Sequence, residues 1–352
     1  MHNVSGSGRG SKGVFVALIA LILILPLVVA HVARAAEDKV VTALYAAAKK
    51  EGGLTVYSPA EAVLRGLEKE FTKMFAGIEV RSATVEPTEL ATKLITEKRG
   101  GGIKADLIMG SLRDVTDLLE RGIISAQDYG SMGIPKELTL FNSKTVSIWN
   151  VVFAHAYNTS LIQDPAELPK TWNDFLDPKW KGKLVTWDFS LAAGLAWWGL
   201  EIGEAAVIDY AKKLVKTQDV LLTRAAADVV NTGERAIFFN GGLAAVFQAQ
   251  AKGLPVDFFL VEVQGAPQYV ACIPEGTKNP NAARLAIKYF LSEPGKAMVW
   301  EYNKSADAHP GAHTPFSKAI EARGGRYIFE TEDNYRQRAQ LADKIRKAVV
   351  GQ

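Results

Sequence analysis

The sequence predicts a two-domain α/β protein whose mainly parallel sheets are covered by helices on both faces. Apolar runs of strand length alternate with amphipathic helical stretches along most of the chain, which is typical of parallel sheets. The 317 residues that follow a predicted export signal also exceed the usual size of one hydrophobic core. Because no Pro/Gly/Ser-rich linker separates two halves, we expect crossing strands to join the domains.

The export signal is predicted from the first 35 residues. Arg9 and Lys12 form a basic region, residues 14–30 are apolar, and Ala33-Arg34-Ala35 fits a small-x-small cleavage site. We expect cleavage after Ala35 and a periplasmic or secreted protein. The apolar run is interrupted by proline and is shorter than the roughly 20 residues of a spanning helix, so a retained membrane anchor is the alternative.

Charge and cysteine content argue against a nucleic-acid-binding protein, a protein that binds anionic membranes and a disulfide-stabilised fold. The mature chain has 38 basic and 38 acidic residues, which gives no electrostatic reason to bind nucleic acid or an anionic membrane. The single cysteine, Cys272, can form no intramolecular disulfide. A hydrophobic core must therefore stabilise the fold.

The first half of the mature chain alternates regularly between helical and strand patterns. Apolar residues at helical spacing predict helices, and short apolar runs bounded by Gly or polar residues predict strands. The predicted elements are, in order, a helix over 40–48, a strand over 54–57, a helix from 58–61 to 74, a strand over 78–81, a helix over 88–99, a strand over 106–109 and a helix over 113–121.

The second half begins with residues 145–157, which are too long and too β-branched for a short core strand. We expect them to be the first crossing between domains, with 268–273 as the return. The predicted domains are therefore 36–148 plus 268–305, and 149–267 plus 306–352. The other predicted elements are helix 171–176, strand 183–187, helices 190–201, 204–216 and 223–233, strand 236–239, helix 241–252, strand 256–261, a helix from Asn279-Pro280 to 291, and a final amphipathic helix containing residues 341–349.

The stretch 183–194 is the first candidate for a binding site, because a strand passes through a turn directly into a helix. Asp188 or Ser190 can cap that helix, whose first free N–H groups would lie at the strand's carboxyl end. Such groups bind anions and polar ligands. Ordinary helix starts have the same caps, so a purely structural role stays open.

Several local phrases together resemble the periplasmic substrate-binding proteins of ABC transporters, a family that includes ferric-iron-binding proteins. They are AAAKKEGGLTVYS (46–58), FTKMFAGIEV (71–80), ADLIMG (105–110), AHAYNTSLI (154–162), LPKTWNDFLDPKWKGKLV (168–185) and NPNAARLAIKYFLSEPGKAM (279–298). The resemblance implies a two-lobed, type II Venus-flytrap fold whose crossing strands act as a hinge. It also implies capture of a small solute between the lobes and its delivery to a membrane permease.

By position, the resemblance places ligand contacts in loops at the carboxyl ends of strands. Open α/β sheets bind ligands at such turns, so the residues themselves favour the same loops. The candidate ligand-binding residues are Ser58, Glu61, Ser111, Arg113, Trp187, Asp188, Ser190, Arg224, Asn240, Gly241 and Tyr269.

Each candidate has a functional and a structural interpretation. Arg113 and Arg224 have guanidinium groups that suit a carboxylate or phosphonate, although both are also ordinary helix-start arginines. Trp187 and Tyr269 could stack on a ligand, or belong to the core. Asn240 and the glycines after it allow close backbone approach, yet they are common turn residues. Asp188 and Glu61 favour an amine instead.

Iron binding is the alternative within the family. Ferric-binding members are associated with adjacent tyrosines and a histidine or carboxylate, whereas this chain has no Tyr-Tyr pair. The mature histidines are His155, His309 and His313, and a Pro-Gly between the last two breaks the spacing of a helical metal site. We expect no metal site and no cofactor.

An enzyme is the alternative from another class, because the fold alone does not decide function. The chain has no G-x-S-x-G, H-E-x-x-H or P-loop motif, and GGGIKAD (100–106) lacks a dinucleotide fingerprint. We therefore expect a monomeric binding protein that is not an enzyme. Its partners are a small solute and permease subunits; docking to a sensory receptor would need the same cleft and stays open.

Overall fold

The computed structural model describes residues 39–187, 190–307, 312 and 314–350. The predicted export signal, Asp188, His309 and His313 lie outside these residues. Within them, no helix is both long and apolar enough to cross a membrane.

The first lobe contains a six-stranded sheet. Its strands are β1 (Gly53–Ser58), β2 (Glu79–Thr84), β3 (Leu107–Ser111), β4 (Thr139–Leu140), β5 (Thr145–Asn150) and β12 (Gln268–Cys272). They lie in the order β2-β1-β3-β12-β5-β4. Strands β1, β2 and β3 are parallel, and β12 inserts antiparallel between β3 and β5. Its helices are α1 (39–51), α2 (Glu61–Gly66), α3 (Thr72–Met74), α4 (Pro87–Arg99), α5 (Leu112–Glu120), α10 (Pro280–Leu291) and α11 (Glu293–Asn303), with a π-helical turn (Leu67–Phe71) joining α2 to α3.

The second lobe contains a five-stranded sheet. Its strands are β6 (Phe153–Asn158), β7 (Leu184–Thr186), β8 (Leu221–Leu222), β9 (Ile237–Gly242) and β10 (Val256–Phe259). They lie in the order β10-β6-β9-β7-β8. Its helices are α6 (Ser190–Ile202), α7 (Glu204–Gln218), α8 (Ala226–Asn231), α9 (Leu243–Ala251) and α12 (Pro315–Glu321). Strands β7, β8 and β9 are parallel, and β6 runs against its neighbours β9 and β10.

Both sheets are covered on both faces, as the sequence predicts. In the first lobe one core contains Phe71 and Trp149, and the opposite face packs Leu94 and Leu118. In the second lobe Trp172 and Leu195 lie on one side of the sheet, and Phe238 and Phe316 on the other. The predicted two-lobed α/β fold is confirmed.

The chain crosses between the lobes at short breaks between strands. The first crossing lies within the predicted residues 145–157, but as two strands with a break between them, because β5 ends at Asn150 in the first sheet and β6 begins at Phe153 in the second. The return also lies earlier than predicted: a short strand β11 (Gln264–Ala266) precedes Pro267, and β12 already belongs to the first sheet. The Val151 N–H donates to the Pro267 carbonyl at 2.9 Å, so the two crossings are bonded to each other.

The last part of the chain adds further connections between the lobes. A bridge between Asn150 and Ala306 marks a third crossing, after α11. Strand β13 (Tyr327–Phe329) pairs in parallel with β11 beside the return crossing, and the final helix α13 (Glu332–Val350) packs on α6 and α7.

Candidate ligand-binding site

Strand register places the candidate loops of both lobes beside the crossings. In the first sheet Ser111 at the end of β3 is paired with Tyr269 near the start of β12. In the second sheet the end of β9, at Gly242, is paired with Phe153 at the start of β6. The carboxyl ends of β3 and β9 therefore meet the chain where it passes from one lobe to the other.

In the first lobe, three sequence-predicted residues come together. The hydroxyls of Ser58 and Tyr269 share a hydrogen bond of 3.0 Å, and the Ala60 N–H donates to Ser58 Oγ at 3.1 Å. Ser111 is the cross-strand partner of Tyr269. Burial raises the pKa of Tyr269 well above its usual value, so its phenol stays neutral.

Asp114 is a residue of this cluster that was not predicted. It forms a reciprocal capping box with Ser111, whose N–H donates to Asp114 Oδ2 at 2.8 Å. A Cβ at Gly110 would lie 3.1 Å from the Asp114 Cβ, so the strand end and the helix start pack closely. Burial raises the pKa of Asp114, and the hydrogen bonds from Ser111 partly oppose that rise. The S-x-x-D spacing of residues 111–114 was the available sequence signal.

The charged candidates of the first lobe are exposed. Arg113 lies in the first turn of α5 with its side chain in solvent. Glu61 begins α2, and its carboxylate pairs with Arg65 one turn later in an exposed ion pair. The guanidinium of Arg113 is therefore accessible to a ligand, whereas Glu61 already has a cationic partner.

In the second lobe, the site is organised around Asn240 at the end of β9. Its backbone has the left-handed φ of 52°, its carbonyl accepts a hydrogen bond from Ser190 Oγ, and its N–H donates to His155 Nδ1 at 3.2 Å. Its side chain is fully buried with no hydrogen-bond partner among the described residues. A Cβ at Gly194 would lie 2.2 Å from Asn240 Nδ2, so only glycine fits there.

The side chain of His155 holds the backbone of Asn240 in place through a hydrogen bond. Because Nδ1 accepts from Asn240, the neutral ring must be protonated at Nε2, and this nitrogen lies 3.1 Å from the terminal amide of Gln264. The ring N–H needs an acceptor, so the amide oxygen of Gln264 is assigned to the side that faces the ring. The histidine thus joins β6, β9 and β11. It is enclosed by the rings of Trp172, Phe175, Phe239 and Phe259.

The remaining predicted residues of the second lobe lie around the same strand ends. The Trp187 ring packs edge-on against Phe238 at 4.8 Å and lies 3.5 Å from a Cβ built at Gly242. Gly241 has no room for a side chain, because a Cβ there would lie 2.7 Å from the Phe238 ring. Arg224 is exposed just before α8.

Comparison with known proteins identifies the family. A family model described as bacterial extracellular solute-binding protein matches residues 67–321. The chain belongs to this family. No curated protein matches it. The resemblance predicted from the sequence is therefore confirmed at family level.

Solved structures show the same fold at low sequence identity. The substrate-binding protein of an ABC transporter from Agrobacterium tumefaciens has a TM-score of 0.68 and 16% identity, covering 84% of this chain and 94% of that one. Iron-bound HitA from Pseudomonas aeruginosa has a TM-score of 0.64 and 19% identity, covering 83% and 99%. The periplasmic binding protein AfuA from Actinobacillus pleuropneumoniae has a TM-score of 0.64 and 19% identity, covering 85% and 99%.

The solute-binding protein thus has two polar clusters, one in each lobe. Ser58, Ser111 and Tyr269 form the first, and Ser190 and Asn240 form the second. No group of three or more His, Cys, Asp or Glu side chains suited to a metal ion occurs among the described residues. Sequence reasoning missed Asp114, and it considered His155 only as a metal ligand.

Proposed function

We propose that this solute-binding protein is the substrate-binding component of an ABC importer. It captures a small polar or anionic solute between the lobes and delivers it, chemically unchanged, to a membrane permease. The supporting observation is the register that brings the ends of β3 and β9 to the crossings, each with its own polar cluster. The lobes that we propose keep the predicted ranges except at the first boundary, which lies after Asn150 because β5 and Trp149 belong to the first lobe. We further propose that the protein is monomeric and periplasmic or secreted.

An anionic group on the solute is supported by the first turn of α5. Arg113 is exposed there beside the N-terminus of a nine-residue helix, where peptide dipoles and free N–H groups favour negative charge. The carboxylate of Asp114 opposes an anion less than a free carboxylate would, since it accepts hydrogen bonds from Ser111 in the capping box. The exposed arginine is therefore the charge that an approaching solute meets in this lobe.

Different kinds of solute are named for the similar solved structures, so these structures do not decide which class of solute this protein binds. AfuA has fructose-6-phosphate bound, a Trichodesmium protein has iron and citrate, and PotD from Streptococcus pneumoniae belongs to a spermidine/putrescine transporter. Iron is disfavoured here because the hydroxyl of Tyr269 is bonded to Ser58 and its pKa is raised, whereas Fe(III) favours tyrosinate oxygen.

A thermal-shift screen tests the solute class. Phosphonates, carboxylates, polyamines, sugars and Fe(III) are compared, since a ligand at a hundred times its Kd stabilises a protein by about 2.7 kcal/mol. We expect an anion to raise the melting temperature. Arg113→Ala should then weaken binding of that anion by about tenfold or more, the value of a charge-assisted hydrogen bond.

Arg121→Ala is the matched control, because Arg121 lies just past the far end of the same helix and pairs with Asp117 in an exposed ion pair. It should leave affinity unchanged. Stabilisation by Fe(III) alone, or unchanged anion affinity in Arg113→Ala, would show that the proposed solute class is wrong.

Closure of the lobes is tested separately by small-angle X-ray scattering. The crossings at 150–153 and 266–268 are short and bonded to each other, which suits a hinge. We expect the radius of gyration to fall when a ligand saturates the protein. An unchanged radius would indicate a preformed rigid site.

A further inference from the structure

A cavity of about 290 Å³ lies in the first lobe beside strand β5. We call it the side pocket, and it is lined by residues from β5 (147–150), from the loop 133–138, from the junction of α10 with α11 (288–296), and by Asp307. All of these except Asp307 belong to the first lobe. The side pocket is therefore built mainly by one lobe, and its shape depends little on how the two lobes are placed.

The side pocket is distinct from the two polar clusters of the proposed ligand site. Its Trp149 side chain stacks on Tyr269, with ring centroids 4.2 Å apart and ring planes at 13°. The hydroxyl of Tyr269 bonds to Ser58 in the first-lobe cluster. Among the described residues that line the side pocket, none belongs to either cluster. The stacked rings therefore connect two neighbouring sites that have separate linings.

The edge of β5 that borders the side pocket is largely uncovered. Strand β4 pairs with β5 only at Val146 and Thr145, and Asn150 forms an isolated bridge with Ala306. Between these points no other strand pairs with this edge in the described part of the chain. An uncovered edge presents backbone N–H and C=O groups. A small ligand in the side pocket can therefore meet backbone polar groups as well as side chains.

Two lysines from different helices line the side pocket. Lys288 lies in the last turn of α10 and is only 6% exposed, an exceptional burial for lysine. Lys296 is the fourth residue of α11, where the helix dipole disfavours a cation. It pairs with Glu293 at 3.5 Å, but that carboxylate is 91% exposed and the pair is weak. Helix stability explains Lys288, because a cation suits a helix end, but it does not explain Lys296.

The charges of the side pocket sum to a single positive charge. Its ionisable side chains among the described residues are Lys288, Lys296 and Asp307, two ammonium groups against one carboxylate. One lysine therefore remains to balance a ligand with one negative charge. The rest of the lining is mostly apolar and includes Leu138, Ile148, Trp149 and Leu291.

We propose that the side pocket binds a small monocarboxylate with an apolar body. The carboxylate pairs with Lys296, the more exposed of the two lysines, and the hydrocarbon part lies against Ile148, Leu291 and Trp149. A cavity of about 290 Å³ is close to the smallest size of small-molecule sites, which suits one ring or a short chain. This site is additional to the proposed importer site and does not rest on it.

Benzoate and hexanoate are the probes, measured by isothermal titration calorimetry and tryptophan fluorescence. We expect both to bind. Benzamide should bind at least about tenfold more weakly than benzoate because it lacks the charge, and acetate should bind more weakly because it lacks the apolar body. The change in fluorescence should be lost in Trp149→Phe, since Trp149 forms a wall of the side pocket. Equal affinities for benzamide and benzoate would overturn the proposal.

The lysine variants locate the binding site. Lys296→Met should weaken benzoate binding by about tenfold or more, and Lys296→Arg, which keeps the charge, should largely retain it. Lys304→Met is the matched control, because Lys304 also pairs three residues away, with Glu301, but at the other end of α11. It should leave affinity unchanged. Because Lys296 is not fully buried, these substitutions test binding without removing a core residue.

Two further measurements separate the side pocket from the proposed importer site. Arg113→Ala should leave benzoate affinity unchanged, and benzoate should leave the radius of gyration unchanged, because the side pocket is built mainly by one lobe. Loss of benzoate binding in Arg113→Ala, or equal affinity in Lys296→Met and the wild type, would place benzoate elsewhere and overturn the proposal. So would the absence of binding by both probes at millimolar concentration. None of these results decides the importer site, which the thermal-shift screen tests on its own.

Discussion

Acidification should destabilise the protein through His155. The imidazole is fully buried among four aromatic rings, and burial lowers its pKa to about 3. Its two ring nitrogens face Asn240 and Gln264, neither of which carries a charge that would stabilise an imidazolium. The folded protein therefore keeps His155 neutral at any pH at which it is normally handled.

The size of the effect follows from the difference between the folded and unfolded pKa. The unfolded chain takes up a proton below pH 6.5, whereas the folded protein does so only near pH 3. The stability from this residue is fully present above pH 6.5 and is lost as pH falls toward 3. At pH 4.5, two units below the unfolded pKa, protonation of the histidine stabilises the unfolded state relative to the folded state by about 2.7 kcal/mol.

Chemical denaturation at pH 7.5 and pH 4.5 measures this loss. His155→Gln is the matched variant, because its amide oxygen can still accept the Asn240 N–H while its side chain does not titrate. We expect the wild type to lose about 2.7 kcal/mol more than the variant between the two pH values. Equal losses in the two proteins would refute the buried neutral histidine, as would nitrogen chemical shifts showing a proton on Nδ1 at pH 7.

Three further outcomes are expected. Gly194→Ala should cost about 1–3 kcal/mol of unfolding free energy, because its Cβ would overlap the Asn240 side chain; thermal or chemical denaturation measures it. Glu330→Gln should cost about 3–5 kcal/mol in the same assay, because the buried Arg338, 2.5 Å from the Glu330 carboxylate, would lose its counter-charge. Mass spectrometry of the exported protein should show a mature N-terminus at Ala36.

Each of these outcomes has a control or a contrary result. Gly100→Ala places a Cβ 3.4 Å from its nearest neighbour at a negative φ and should change stability little. Glu204→Gln breaks an exposed pair with Lys344 and should cost at most about 1 kcal/mol. An exported protein that retains residues 1–35 would instead be anchored to the membrane.

The alternation of strands and helices was predictable because each apolar run is bounded by glycine or polar residues. The break inside the first crossing was not, because two further β-branched residues, Val151 and Val152, follow Asn150 and no Gly or Pro marks a stop there. The conformation of that pair depends on the Pro267 carbonyl, which arrives from much later in the chain. The local sequence pattern therefore predicted the crossing but could not locate the break between its two strands.

The site was partly predictable for a related reason. The sequence pattern correctly placed Ser58, Ser111 and Asn240 at or near the carboxyl ends of their strands, because hydrophobic periodicity and residue polarity are local signals. The role of His155 depends on three strands that meet only in the folded protein. The residues next to His155 in the sequence do not indicate which distant backbone group its side chain will contact.

The insertion of β12 into the first sheet has a consequence for the order in which the chain folds. Ser58 and Tyr269, which bond to each other in the first-lobe cluster, are separated by 211 residues, and β12 lies between β3 and β5 rather than at an edge. A chain that has emerged only as far as residue 148 lacks a central strand and exposes two unpaired strand edges. The sheet of the first lobe therefore cannot be completed until residues 268–272 have been made, so its core closes only after most of the chain is available.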